Sequence, residues 1–157
     1  LASRYSFYGN YTQFLNTQYE DIKNALKEGE VAIDFTDFKL DSVHCYAAYV
    51  LRKEWEYPLL VPLFNQTQLD SLYNTVNNIT DRLYHFPYSQ SLLKFCWASL
   101  SHYIHLGETV YYVPAGTLHQ LSLESVAVAP GFYIGRSVSF YTIVFNQRNL
   151  QARIATY

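Results

Sequence analysis

The chain has 157 residues, half of them hydrophobic and 15% charged, which suits one domain with a real core and excludes a disordered chain. Eleven basic residues against 13 acidic ones give a net charge of −2 with no run of either sign, so there is no electrostatic footprint for nucleic acid or an anionic membrane. No apolar run approaches the ~20 residues of a membrane span, and Leu1 onward has neither the basic start nor the hydrophobic stretch of a signal peptide, so the chain is expected in the cytoplasm.

Sixteen Tyr and ten Phe are an excess of rings that suits core packing first and protein-binding surface second. Cys45 and Cys96 are too few for a disulfide framework, and each sits in apolar sequence as intracellular thiols do. The sequons at Asn10, Asn65 and Asn78 matter only in a secreted protein.

The first predicted element is a helix. Tyr11, Phe14, Leu15, Ile22, Ala25 and Leu26 recur at helical spacing, Asn10 with Gln13 forms a capping box, and Gly29 is a natural stop. From 30 to 64 the period changes to two. Val31, Ile33 and Phe35 alternate with Ala32, Asp34 and Thr36, then come the run Val43 to Leu51 and the segment Leu59 to Phe64. The connections at 39–42 and 53–58 are too short for a parallel crossover, so the three strands form an antiparallel meander. Pro62 places the third strand at an edge or on a bulge.

Two helices are predicted over 67–106. Thr67 caps the first, with a stripe of Leu69, Leu72, Tyr73, Val76 and Leu83; Pro87 separates it from a second carrying Leu92, Phe95, Cys96, Leu100, Tyr103 and Ile104, which Gly107 ends. Thr109 to Val113 is then a buried strand, halted by Pro114 and Gly116. Ser122 to Val126 reads as the start of a short helix with Ser122 as cap and Glu124 in the first turn. A strand follows over Ser137 to Val144, and Asn146 caps a final helix from Arg148 onward. A helix between two such strands makes a βαβ unit.

The order strand, Pro-x-Gly turn, Leu-His, Glu in TVYYVPAGTLHQLSLESV resembles the "VPxGxLHxLPxExL" signature of the CHAT family, the caspase-like domain found behind tetratricopeptide repeats. Val113-Pro114, Gly116, Leu118-His119, Leu121 and Glu124 match; Ala115 stands where an acidic or Asn residue is common and Ser122 where proline is usual. The opening GEVAIDF, the YAAYVLRK run and Trp97 extend the resemblance over most of the chain. It implies an α/β fold in three parts: a linking helix over 1–29 that upstream helical repeats would precede, a β-meander over 30–64, and helices with core strands of a caspase-like three-layer unit over 65–157. Pro114, Gly116, His119 and Glu124 are then structural signature residues, with the His119 ring bonded to turn backbone.

The resemblance does not bring the family's chemistry with it. Caspases and separases take their histidine from a His-Gly step after one strand and their cysteine from a Ser-x-Cys step after the next, and this sequence contains neither. Cys45 and Cys96 lie in apolar runs that favour the inert thiol. His44 and Cys45 are adjacent on a strand and point to opposite faces, as do Asp34 and Asp37. His102 and His105, three apart on a helix, are two ligands where a closed metal site needs about four. The six glycines are scattered and form no phosphate loop.

No catalytic, cofactor or metal residue is therefore expected. The sequence points to the non-catalytic N-terminal half of a CHAT-type cysteine peptidase whose partners are the missing catalytic half, upstream repeats and a protein substrate. The alternative is a stand-alone protein-interaction module. Either way, an uncharged strand such as Ser137 to Val144, or the terminal helix, would offer a surface for a homodimer.

Overall fold

The computed structural model describes residues 19–75, 84, 87, 89–129, 132–133, 139–145 and 152–155. The expected cap at Asn10, the stripe Tyr11, Phe14 and Leu15, the helix stretch 76–83, and the proposed cap at Asn146 lie outside the described residues.

A long hairpin is the backbone of the sheet. β1 (Glu30–Leu40) and β2 (Val43–Arg52) pair antiparallel from Val31↔Arg52 to Leu40↔Val43 without interruption. Asp41 and Ser42 both have positive φ, 46° and 70°, giving the tight two-residue reversal whose twist suits flanking strands. β3 (Leu59–Asn65) adds antiparallel to β2, with a register shift beside Pro62. It is the outer strand, so both options read from Pro62, edge and bulge, hold together.

On the other side the sheet turns parallel. β4 (Thr109–Val113) pairs with β1 from Glu30↔Thr109 to Asp34↔Val113, and β7 (Ser139–Phe145) pairs in parallel with β4. The six-stranded order is β3-β2-β1-β4-β7-β8, with β8 (Ala152–Ala155) antiparallel to β7. The terminal helix expected from Arg148 onward is thus corrected: residues 152–155 are a strand, because Ala-Arg-Ile-Ala finds an open ladder edge on β7. β7 lies inside the sheet, paired with β4 over Ser139–Thr142 and with β8 over Thr142–Phe145.

One face of the sheet holds the core. Val31, Ile33, Phe35, Tyr46, Ala48, Val50, Val110 and Tyr112 face it at 0–3% exposure. The chain between β3 and β4 covers it with α2 (Gln66–Thr75) and α3 (Ser89–Leu92), the latter continuing as a π-turn over Leu93–Trp97 and a 3-10 turn over Leu100–His102. Leu69, Leu92, Cys96, Trp97 and Leu100 fill this layer, and the Trp97 indole N–H donates to the Leu123 carbonyl at 3.0 Å, so that large ring is buried without an orphaned donor. The cap of α2 is Asn65, not Thr67: Asn65 Oδ1 accepts from Gln68 N–H, and Gln68 Oε1 accepts from Asn65 N–H, a reciprocal box that satisfies two end amides.

The opposite face keeps Asp34, Tyr49 and Leu60 exposed. α1 (Tyr19–Ala25) leads to Leu26, which is buried, and Lys53 Nζ donates to its carbonyl. Gly29 and Gly107, both at positive φ, end the segments that precede β1 and β4, as their stop positions require. Between β4 and β7 stand two 3-10 turns, Gly116–Gln120 and Leu123–Ser125, and a small hairpin of β5 (Ala127–Ala129) and β6 (Phe132–Tyr133). The short helix expected at Ser122 to Val126 is therefore only a 3-10 turn: the Ser122 hydroxyl caps no amide but donates to Glu124 Oε1. No helix of the described residues is long and apolar enough to cross a membrane.

Candidate functional site

In an open sheet with parallel strands, ligands settle outside the carboxyl ends of adjacent strands whose connections leave in opposite directions. β1 and β4 are such a pair: β1 continues to β2 on one side, and β4 leads on toward β7 on the other. The signature segment starts at that point.

Pro114 takes the chain out of the ladder, and Gly116 turns it over the core face at φ +52. A Cβ on Gly116 would stand 3.2 Å from the Tyr46 ring and hydroxyl and 3.5 Å from Asp37 Cγ, so glycine serves here both for its backbone angle and for its lack of a side chain. The leucines that follow are anchors, with Leu118 and Leu123 fully buried and Leu121 nearly so. Glu124 accepts from the Tyr112 hydroxyl at 2.8 Å and from Ser122 Oγ at 2.6 Å, tying the segment's end to β4. The Tyr84 hydroxyl accepts from Ser122 N–H. Three of the four signature residues thus have local structural work. His119 does not have the work expected of it: it is exposed and makes no hydrogen bond among the described residues, because the 3-10 turn points it outward while Leu118 takes the inward position.

Tyr46 is the centre of the site. Its hydroxyl donates to Gln66 Oε1 at 2.7 Å and lies 2.8 Å from Thr117 Oγ1, joining β2, the start of α2 and the signature turn. Its ring stacks on Phe64, at 4.8 Å between centroids, and on His44, at 5.3 Å. His44 Nε2 in turn meets Asp37 Oδ2 at 2.6 Å. This pair was not foreseen. It follows from the hairpin register, in which Asp37 faces Tyr46 and Lys39 faces His44, so Asp37 and His44 are diagonal neighbours on one face. A cleft of about 580 Å³ opens near the start of β2, lined by Val43, Asn65, Gln68, Ser71, Leu72 and Phe95 among others, none of them charged.

An imidazole held by a carboxylate can move protons, but a peptidase also needs a thiolate or an activated hydroxyl beside it. Cys45 is on the opposite face, with its thiol directed to the Val43 carbonyl. Cys96 is buried in the π-turn, and burial pushes its thiol up to about 12, so it stays protonated. The Thr117 hydroxyl is held by Tyr46. Asp34, on the open face as expected, has its carboxyl pKa raised by desolvation and lies apart from Asp37. His102 and His105 do not converge on a metal: His105 Nδ1 lies 3.4 Å from Glu108, and the described residues contain no group of three or more candidate ligands.

The other end of the same strands holds a second polar cluster. Arg52, at the end of β2, donates to both oxygens of Glu108, to the Tyr103 carbonyl at 2.8 Å and to Glu54 at 2.8 Å. The hydrogen bonds from Arg52 hold the Glu108 carboxyl at about 2, well below the usual range, with help from His105 N–H. Nothing local in the sequence announces this clamp, since Glu108 is 56 residues from Arg52. No protein-family model matches the chain, and no curated protein matches it.

Proposed function

We propose that this chain is the non-catalytic part of a CHAT-type, caspase-like cysteine peptidase, a scaffold that supports a catalytic half supplied by further polypeptide and couples it to helical repeats. The observation that carries the reading is the signature segment: Pro114 and Gly116 leave a parallel strand, Leu118, Leu121 and Leu123 anchor under the sheet, and Glu124 ties back to Tyr112. The parallel succession β1-β4-β7 behind an antiparallel hairpin is consistent with the α/β layering that the resemblance implies. On this reading the catalytic histidine and cysteine come from outside these 157 residues, which contain no His-Gly and no Ser-x-Cys step. The scaffold acts by fixing the carboxyl ends of β1 and β4.

A second reading, a stand-alone protein-interaction module, draws on a different observation. Tyr49, Leu60, Phe38 and Leu40 stand exposed on one face of the sheet. The coding sequence beyond residue 157 separates the two. A strand followed by His-Gly and a second followed by Ser-x-Cys supports the scaffold; a reading frame without them supports the module. In both cases the isolated chain is expected to hydrolyse no peptide and to resist caspase- and separase-type inhibitors. Rapid stoichiometric labelling of Cys45 or Cys96 in the folded chain would overturn that expectation.

A further inference from the structure

The hairpin outruns its neighbours. β4 accompanies β1 only as far as Asp34↔Val113, and from Phe35 to Leu40 that edge of β1 has no ladder partner and no other backbone hydrogen bond among the described residues. An open strand edge is a template for another strand. Phe38 and Leu40 are 43% and 60% exposed, so the edge is reachable, and Val43, opposite Leu40, is exposed as well. Of the two strands at the ends of the sheet, β3 is a poorer template, because Pro62 lacks an N–H and the register beside it is broken.

We propose that a second copy of this chain occupies this edge, the two β1 strands running antiparallel about a two-fold axis at Phe38. The register follows from charge. In a symmetric antiparallel pair, residue i faces residue j with i + j constant and even, since only then do the hydrogen-bonding sides of both strands match. An axis at Asp37 sets two carboxylates opposite each other, and an axis at Lys39 sets two ammonium groups opposite each other. An axis at Phe38 sets Asp37 against Lys39 of the second copy, twice, and stacks Phe38 on its counterpart. Like charges directly opposite destabilise a sheet, while opposite charges and aromatic pairs stabilise it, so of these three registers the one centred at Phe38 is favoured.

The single chain is prepared for this contact. Asp37 meets His44 through Oδ2, leaving Oδ1 for a cation, and Lys39 forms no ion pair among the described residues. This contact is independent of any peptidase role.

Sedimentation of the full chain over a wide concentration range tests it. The wild type is expected to form a weak dimer that salt weakens further. Asp37→Lys and Lys39→Asp, made separately, are each expected to raise the dimer dissociation constant about tenfold or more, since each turns two attractive pairs into repulsive ones. An equimolar mixture of the two variants is expected to dimerise again, because each then meets the opposite charge. Lys39 is exposed and unpaired in the single chain, so Lys39→Asp leaves the fold intact, as melting curves would check. A wild type that stays monomeric throughout, single variants that associate as the wild type does, or a mixture that stays monomeric each overturns the proposal.

Discussion

Where β1 and β4 begin, the side chains of Arg52 and Glu108 keep only 11% and 12% of their surface in water; where those strands finish, His44 and Asp37 keep 36% and 34%. The two clusters pair the same kinds of group with opposite consequences. A desolvated ion pair is strong only while both members and their hydrogen bonds are present, and removing one strands a buried charge. A pair that keeps a third of its surface wet can be lost cheaply. One end of the sheet is therefore closed by electrostatics, while the other is held by Tyr46 and a glycine and remains open to solvent at the signature turn.

The largest test of that contrast is Arg52→Met. It leaves Glu108 buried without its partner and is expected to cost on the order of 3–5 kcal/mol in a denaturation curve, whereas Arg52→Met combined with Glu108→Leu should recover most of the loss. pH sharpens the test. The folded pKa of Glu108, about 2, lies below its ordinary value, so its contribution is complete above the unfolded pKa and is lost as pH falls toward 2. The wild type should weaken through that window, and the double variant should weaken less. A single variant as stable as the wild type would mean that this end is not closed as described.

Next in size is Gly116→Ala. Its φ of +52° and the 3.2 Å approach to Tyr46 combine backbone strain with displacement of a packed ring, and about 1–3 kcal/mol is expected. Tyr46→Phe keeps the stacking and removes two hydrogen bonds, so about 1–2 kcal/mol is expected, with Thr117 and Gln66 left to find water. Equal losses from Gly116→Ala and from a substitution at exposed Gly29, where a Cβ meets nothing within 4 Å, would show that φ alone matters and that the approach to Tyr46 does not.

How much of this could be read in advance depended on sequence distance. The strands of the hairpin and β3 were legible because alternation of Val31, Ile33 and Phe35 with polar neighbours, and two short connections, are local signals. The Pro114-Gly116 turn was legible for the same reason. The Asp37–His44 pair was within reach, since a two-residue reversal at Asp41-Ser42 fixes which residues share a face. Arg52 with Glu108 was not, because that contact exists only once β1 recruits β4 as a parallel neighbour. The last strand was misread as a helix for a related reason: whether Ala152–Ala155 coils or extends is decided by the edge of β7, not by its own four residues. His119 was assigned a backbone bond because a turn histidine usually has one, but the inward place in this 3-10 turn belongs to Leu118.

The smallest expected effect is at His44. His44→Ala removes a partly exposed hydrogen-bonded contact with Asp37, worth about 0–1 kcal/mol, and one ring stacked on Tyr46, while the Phe64 ring remains stacked on it. The total should stay near 1 kcal/mol, well under the cost of Arg52→Met and no more than that of Tyr46→Phe. Asp37→Asn separates the two parts, since it removes the carboxylate from the contact and leaves the stacked ring in place, and thermal melts of both variants measure the difference. If Asp37→Asn costs little and His44→Ala costs more, the ring matters to the fold chiefly as a cover for Tyr46. A loss of 3 kcal/mol or more from either variant, the range about expected for a closed pair, would mean that the carboxyl end of the sheet is as tightly bound as the other, and the contrast on which the open site rests would fail.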